Sequence, residues 1–492
     1  MRPTYPDEVL VGGRPRRGAG ETLVTRDPAT GAELARLHAA SPADVDDAVR
    51  AGAAAAADPA WRDLLPHERA RLLVRVADLI AERAEELAAL QTADTGKSIN
   101  ETRALVASAQ GTFRYVAAAL ETMEGALTPP RGPYLTMSVH EPIGVVGAIT
   151  PWNSPIASDA QKAAPALAAG NAVLLKPAEQ APLVSLAFGR LLVDAGLPPG
   201  LVSVLPGPGA VTGAAIVRHP GVGKVSFTGG TATGRAIGAV AADKIMPVSL
   251  ELGGKSPTIV FPDADREQTL AGLMFGIFSS SGQSCVAGSR VFVHASVYDE
   301  VLDELVARTR ELRVGPGTDP ATQVAPLVTH EHRDRVAAMV ERAVRDGARL
   351  RCGGRVPDGP RYERGAYYLP TILDGVANDA AICQEEVFGP VLVALPFTDE
   401  DDLVAQADAT VYGLACGIWT RDYRTAWRVA RRVQAGTVWI NTYKQFSIST
   451  PFGGVKESGL GREKGRDGIL AYTRQKSVYW GLDEAPLPWA NA

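Results

Sequence analysis

Cysteine is scarce in this chain, with four residues in 492, at positions 285, 352, 383 and 416. They lie far apart, with no Cys-x-x-Cys pair and no Cys/His spacing of a zinc site, which argues against a metal centre or a disulfide framework. A chain of this length can build its core without cross-links. Also missing is any run approaching the roughly 20 apolar residues of a membrane span. The N-terminus carries Asp7, Glu8 and several prolines where a secretory leader needs an unbroken apolar stretch. No sign of charge dominates. The net charge is −5 and thinly spread, so there is no patch for nucleic acid or an anionic membrane. The Arg14-Pro15-Arg16-Arg17 cluster reads as a solvated terminal segment. These absences point to a cytoplasmic protein of enzyme size.

What is present points to two α/β units. The apolar fraction of 46% and charged fraction of 21% are ordinary for a globular protein, and 492 residues exceed what one core holds. From Pro42 to about Met123 the pattern is Ala-rich and helical, as in Glu68 to Ala77, where apolar groups recur at three and four residues. Met137 to Glu141 alternates, and Ile143 to Ile149 is a buried strand. Strands are then predicted over 171–175, 201–205 and 224–228, with helices over 183–195 and 212–218. Repeated units of this length imply a parallel sheet covered on both faces. The pattern restarts after Gly253-Gly254, the best boundary, with a strand over 257–261 and a helix over 265–279. A second alternating block runs to about Asn441. Beyond Ala51 to Ala57 there is no low-complexity segment, and no internal repeat.

Several residue patterns carry chemistry. Cys285, in Gly282-Gln283-Ser284-Cys285, lies between a helix and the strand Val291-Phe292-Val293, where backbone N–H groups would lower a thiol pKa from about 8.5. Glu251 stands inside the apolar run Ser249 to Gly254; a carboxylate against an apolar wall has a raised pKa and suits a general base. Asn153, in Pro151-Trp152-Asn153-Ser154-Pro155, follows a strand end, where its amide can donate to an oxyanion. Phe227-Thr228-Gly229-Gly230 ends a strand before a helix whose N-terminus suits a pyrophosphate. It is neither GxGxxG nor a Walker sequence. Lys176 and Glu179 follow another strand and could bind ribose hydroxyls. Each pattern alone also fits a bland structural role: an inert buried thiol, an ion pair, an Asx turn or an exposed loop.

Taken in order, the patterns resemble the aldehyde dehydrogenase superfamily. The matching pieces are Pro151-Trp152-Asn153, Lys176-Pro177-Ala178-Glu179, Phe227-Thr228-Gly229, Leu250 to Pro257, Gly282 to Cys285, Glu385-Glu386-Val387-Phe388-Gly389-Pro390 and Pro451-Phe452-Gly453-Gly454. The resemblance runs from Asp27-Pro28-Ala29-Thr30-Gly31 to Tyr472-Thr473. It implies an α/β fold: a Rossmann-like cofactor-binding domain (1–123 and 143–253), a second α/β catalytic domain (254–456), and a small β oligomerisation element with the C-terminal tail (124–142 and 457–492). A homodimer or homotetramer is implied as well.

By the same resemblance, Cys285 is the nucleophile, Glu251 the base for thioester hydrolysis, and Asn153 with the Cys285 N–H the oxyanion hole. Trp152, Lys176, Glu179, Gly229, Gly230, Glu386 and Phe388 hold NAD, with NADP disfavoured by Glu179. Glu463 matches a second glutamate near the site. Gly230 departs from the serine of many members, which removes one hydroxyl contact to a phosphate. Ser154, Ser158, Gln161 and Ser279 stand where relatives for small apolar aldehydes carry larger apolar groups. Phe446 and Phe452 keep an aromatic wall, and Lys444 and Gln445 stand near the mouth. The lining implies an aldehyde with a polar or anionic group, or a bulky ring. The competing readings are a CoA-acylating relative, which usually lacks the glutamate at position 251, and a catalytically silent structural member, which usually lacks the nucleophile or base.

Overall fold

The computed structural model describes residues 5–484 and residue 489; the rest of the expected C-terminal tail lies outside the described residues. Local signals in the sequence place the helices. Ser41 caps Pro42–Ala57 through a reciprocal box, its hydroxyl accepting the Asp44 N–H while Asp44 accepts the Ser41 N–H at 2.8 Å. Asp265 caps Arg266–Phe278, accepting the Gln268 N–H at 3.1 Å. In the hairpin of Thr22–Arg26 and Glu33–His38, Asp27 accepts from Ala29 and Thr30, and Gly31 takes the left-handed φ of +70°.

The first sheet has eight strands. Its centre is parallel: Val248–Glu251, Lys224–Thr228, Val145–Ile149, Ala172–Lys176 and Val202–Val204. Every residue of Val145–Ile149 and Ala172–Lys176 is buried, as expected of strands covered by helices on both faces. Two pieces distant in sequence close the edges antiparallel: Val9–Val11 with Arg14–Arg16 on one side, Gly459–Leu460 on the other. Neither edge was legible in the sequence, because two- and three-residue strands carry no period.

A second sheet of seven strands runs Arg349–Cys352, Thr371–Asp374, Val391–Phe397, Arg290–His294, Pro257–Val260, Ala415–Trp419 and Thr437–Ile440. All its pairings are parallel except the first. Separate apolar clusters fill the space around the two sheets. The chain passes from the first sheet to the second through Leu252 to Ser256. A third sheet orders Thr473–Gly481, Tyr134–Pro142 and Ala126–Thr128, all antiparallel.

In the first sheet the chain winds outward from Val145–Ile149 through Ala172–Lys176 to Val202–Val204. It then returns to lay Lys224–Thr228 on the other flank of Val145–Ile149. The loops at 150–155 and 229–231 therefore diverge and open a crevice at the carboxyl ends of the strands.

Candidate active site

That crevice is a cavity of 660 Å³ lined by Trp152, Lys176, Glu179, Gly229 and Gly230, among others. Its size lies within the roughly 300–1,000 Å³ of small-molecule sites. Lys176 ends its strand buried, and its ammonium donates to Glu179 at 3.2 Å. Burial holds its pKa below the usual lysine range, against the raising charge of Glu179. Gly230 precedes the helix Thr231–Asp243, and no side chain caps that helix. A Cβ on Gly230 would meet nothing within 4 Å. The first-turn N–H groups thus face an open cradle suited to phosphate oxygens.

Glu386 and Phe388 stand at the Trp152 end. The rings of Trp152 and Phe388 meet edge-on at 5.3 Å. Glu386 accepts the Gly254 N–H at 3.1 Å, and burial pushes its carboxyl up to about 7. Phe388 has a left-handed φ of +55°, and its carbonyl accepts from the His332 ring nitrogen Nε2 at 2.8 Å. Burial lowers His332 to about 4, so its ring is neutral at pH 7. The same ring packs on Trp152 at 5.4 Å. Sequence reasoning missed His332, since a lone histidine early in an amphipathic helix carries no signal.

The loop before Cys285 is tightly tied. Ser280, Ser281 and Gly282 have φ of +55°, +54° and +71°, and such non-glycine positions cost about 1–3 kcal/mol each. Glu101, from the helix Ile99–Leu120, offsets this by accepting the N–H and hydroxyl of Ser280 and the Ser98 hydroxyl. Ser281 donates to the Ala325 carbonyl at 2.7 Å. A Cβ on Gly282 would fall 1.9 Å from the Gly389 oxygen, so no other residue fits there. The Asn153 amide donates to the Gln283 carbonyl at 2.9 Å, which brings it beside Cys285.

The Cys285 thiol differs from expectation. Burial pushes it up to about 12, the charges of Glu386 and Glu251 add to this, and Lys444 and the residue's own N–H pull it down. The sequence suggested a lowered thiol, but packing and two nearby carboxyls outweigh one ammonium and one N–H. A proton acceptor is needed for attack.

Glu251 ends the strand Val248–Glu251, buried, with Oε2 lacking any hydrogen-bond partner among the described residues. Burial first, then the charge of Glu463, raises its pKa well above the carboxylate range. Glu463 accepts from Lys162 and Gln161 and, at 3.1 Å, from Ser226. Gln161, expected in the substrate lining, is committed to Glu463. Ser154 and Ser158 bond each other at 3.0 Å. Lys444 donates to the Ser279 hydroxyl at 2.9 Å, and Ser279 in turn to the Phe275 carbonyl at 2.6 Å. Phe446 and Phe452 meet at 5.5 Å, and the Lys464 ammonium lies 4.3 Å from the Phe446 centroid. The Gln445 carbonyl accepts from the Trp439 indole at 2.8 Å. Among the described residues no cluster could hold a metal ion, and no helix is long and apolar enough to cross a membrane.

Known proteins share this architecture. The model of the aldehyde dehydrogenase family matches residues 16–478. The chain is 44% identical over 482 residues to a betaine aldehyde dehydrogenase of Cereibacter sphaeroides, covering 98% of each chain. The structure of an aldehyde dehydrogenase from Bacillus cereus in complex with NAD⁺ matches with a TM-score of 0.95 at 40% identity, covering 97% of both chains. An NAD-dependent aldehyde dehydrogenase from Sinorhizobium meliloti matches with a TM-score of 0.96 at 35% identity, covering 99% of this chain and 98% of that one. Fold and relatives together make the protein an oxidoreductase. The chain belongs to the aldehyde dehydrogenase family.

Proposed function

We propose that the protein oxidises an aldehyde to its carboxylic acid with NAD, through a thioester on Cys285 that water then hydrolyses. The observation carrying this reading is Glu251: a buried carboxyl with a free oxygen, close enough to Cys285 for its charge to raise the thiol. Its raised pKa suits a base that must work near neutrality. Cys285 attacks the carbonyl carbon as the thiolate, its proton having left to water. The second N–H of Asn153 and the N–H of Cys285 hold the resulting oxyanion; each such donor is worth about 10²–10³ in rate. Glu251 then deprotonates the water that releases the acid.

NAD fits the crevice by its open cradle at Gly230, by Lys176 and Glu179 beside it, and by Glu386 at the far end. When bound, the nicotinamide supplies a hydride acceptor. Trp152 and Phe388, braced by His332, wall that end against water. We place the cofactor domain at 1–123 with 143–253 and the catalytic domain at 254–456, the crevice lying in the first of these. Glu251 also favours hydrolysis over acyl transfer to CoA, and Cys285 with Glu251 favours an active enzyme over a silent member. Several relatives are named for betaine aldehyde. Its quaternary ammonium would meet Lys444 and Lys464 here, so that substrate is not carried over. The four cysteines are free, which suits a reducing cytoplasm. We assign the antiparallel sheet of Ala126–Thr128, Tyr134–Pro142 and Thr473–Gly481 to contact with further copies of the chain, as a homodimer or homotetramer.

The test is Glu251→Gln. Loss of general-base help slows hydrolysis about 10²–10⁴-fold. The variant should release reduced cofactor in one burst near the active-site concentration and then nearly stop, with the acyl group found on Cys285 by mass spectrometry. Cys285→Ala should show neither burst nor adduct. Steady turnover of Glu251→Gln at the native rate would remove Glu251 as the base and leave Glu463 as the next carboxyl to test.

A further inference from the structure

We infer that Lys444 selects the substrate, and that the preferred aldehyde carries a carboxylate a few carbons from its aldehyde group. This rests on the dehydrogenase reading above and narrows it. Lysine is rare in the chain, ten residues against forty arginines, and only Lys456 and Lys476 are exposed. Arginine thus carries most of the positive surface charge, and lysine is kept largely for inner positions. Lys444 is half-buried, and its backbone sits at a left-handed φ of +53°. Strain of that kind persists only where the surroundings enforce it, and it gathers at functional sites.

The ammonium donates to Ser279, six residues before the nucleophile, and lies 6.0 Å from the Phe275 centroid. It makes no ion pair with a carboxylate within 4.0 Å among the described residues. Burial lowers its pKa to about 7, with Glu101 and Cys285 raising it and Lys97 lowering it, so an anion beside it would hold the proton in place. Glu101 is already engaged by Ser98 and Ser280, so it makes no ion pair with the ammonium. Lys464, on the Phe446 and Phe452 rings, adds a second positive charge near the same thiol. A half-buried ammonium with two spare N–H donors and no ionic partner among the described residues is completed by an anion, and the two oxygens of a carboxylate match those donors. The aromatic wall of Phe446 and Phe452 would take the apolar middle of such a molecule. A cationic aldehyde would meet like charge, which costs several kcal/mol at a desolvated contact.

The experiment compares kcat/KM for matched pairs: 4-oxobutanoate with butanal, 5-oxopentanoate with pentanal, and trimethylammonioacetaldehyde as the cationic member. The native enzyme should favour the acidic member of at least one pair by tenfold or more and take the cationic aldehyde worst. In Lys444→Met the acidic-to-neutral ratio should fall by tenfold or more, through KM rather than kcat, and Lys444→Arg should restore part of it. If both substrates fall by one common factor, Lys444 serves the thiol or the fold, and the inference is overturned. A native preference for the neutral members overturns it without any variant, while leaving the dehydrogenase reading intact. Failure to oxidise any aldehyde, with NAD bound, would overturn that reading itself and this inference with it.

Discussion

At the scale of single residues, the site works by setting protons against burial. Cys285, Glu251 and Glu386 all have pKa values raised chiefly by desolvation, so each resists ionising alone and the charge has to be passed between neighbours. Glu179 works by charge in a different way. It is about a third exposed, paired with Lys176, and stands at the edge of the crevice. Its oxygens can accept from the adenosine ribose hydroxyls, whereas a 2′-phosphate would meet like charge. The enzyme should therefore have a kcat/KM for NAD at least tenfold above that for NADP, and Glu179→Gln should narrow the gap. Comparable native values for the two cofactors, measured at saturating aldehyde, would defeat this assignment.

At the scale of elements, the helix Pro155–Ala168 begins at the crevice and carries Lys162 to Glu463. It also carries the fully buried Asp159. Burial pushes Asp159 up to about 6, while the hydroxyls of Ser185 and Thr150 and the charge of Lys162 pull it down. A folded pKa above the unfolded value of about 3.9 stabilises the fold fully at low pH, and this contribution is lost as pH rises through about 6. Two units correspond to about 3 kcal/mol. Asp159→Asn should then match the native protein near pH 4 and exceed it by about 3 kcal/mol at pH 8, read by urea denaturation at each pH. Identical pH slopes in the two proteins would show that folding leaves the pKa of Asp159 unchanged. The strained turn at Ser280 to Gly282 was likewise invisible in the sequence. Its support comes from Glu101, about 180 residues away in the chain.

At the scale of the whole molecule, the three-stranded sheet stands apart from the two cores and exposes Leu127, Tyr479 and Trp480. Large apolar groups gathered on one small sheet with unpaired edges suit the contact with another copy proposed above. Sedimentation at micromolar concentration should show two or four copies. Removing residues 473–492 should shift the population to a smaller species, with the two large sheets retained by circular dichroism. An unchanged sedimentation coefficient after truncation, beyond the loss of mass, would place the contact elsewhere.

The sequence by itself determined the parallel α/β character, because strands buried on both faces read as unbroken apolar runs at 145–149 and 172–175. It also marked Cys285, Glu251 and Asn153, because motifs in a fixed order survive any ignorance of contacts. The tertiary structure alone decided what surrounds them. It put Gly459–Leu460 on the edge of the first sheet, and with it Glu463 beside Glu251. It tied Gln161 to that glutamate and turned His332 onto Phe388. It also reversed the expected shift of the Cys285 thiol. The physical reason is common to all four: a pKa or a hydrogen bond depends on which groups meet in space and how much water they exclude, and neither is written in the spacing of residues along the chain.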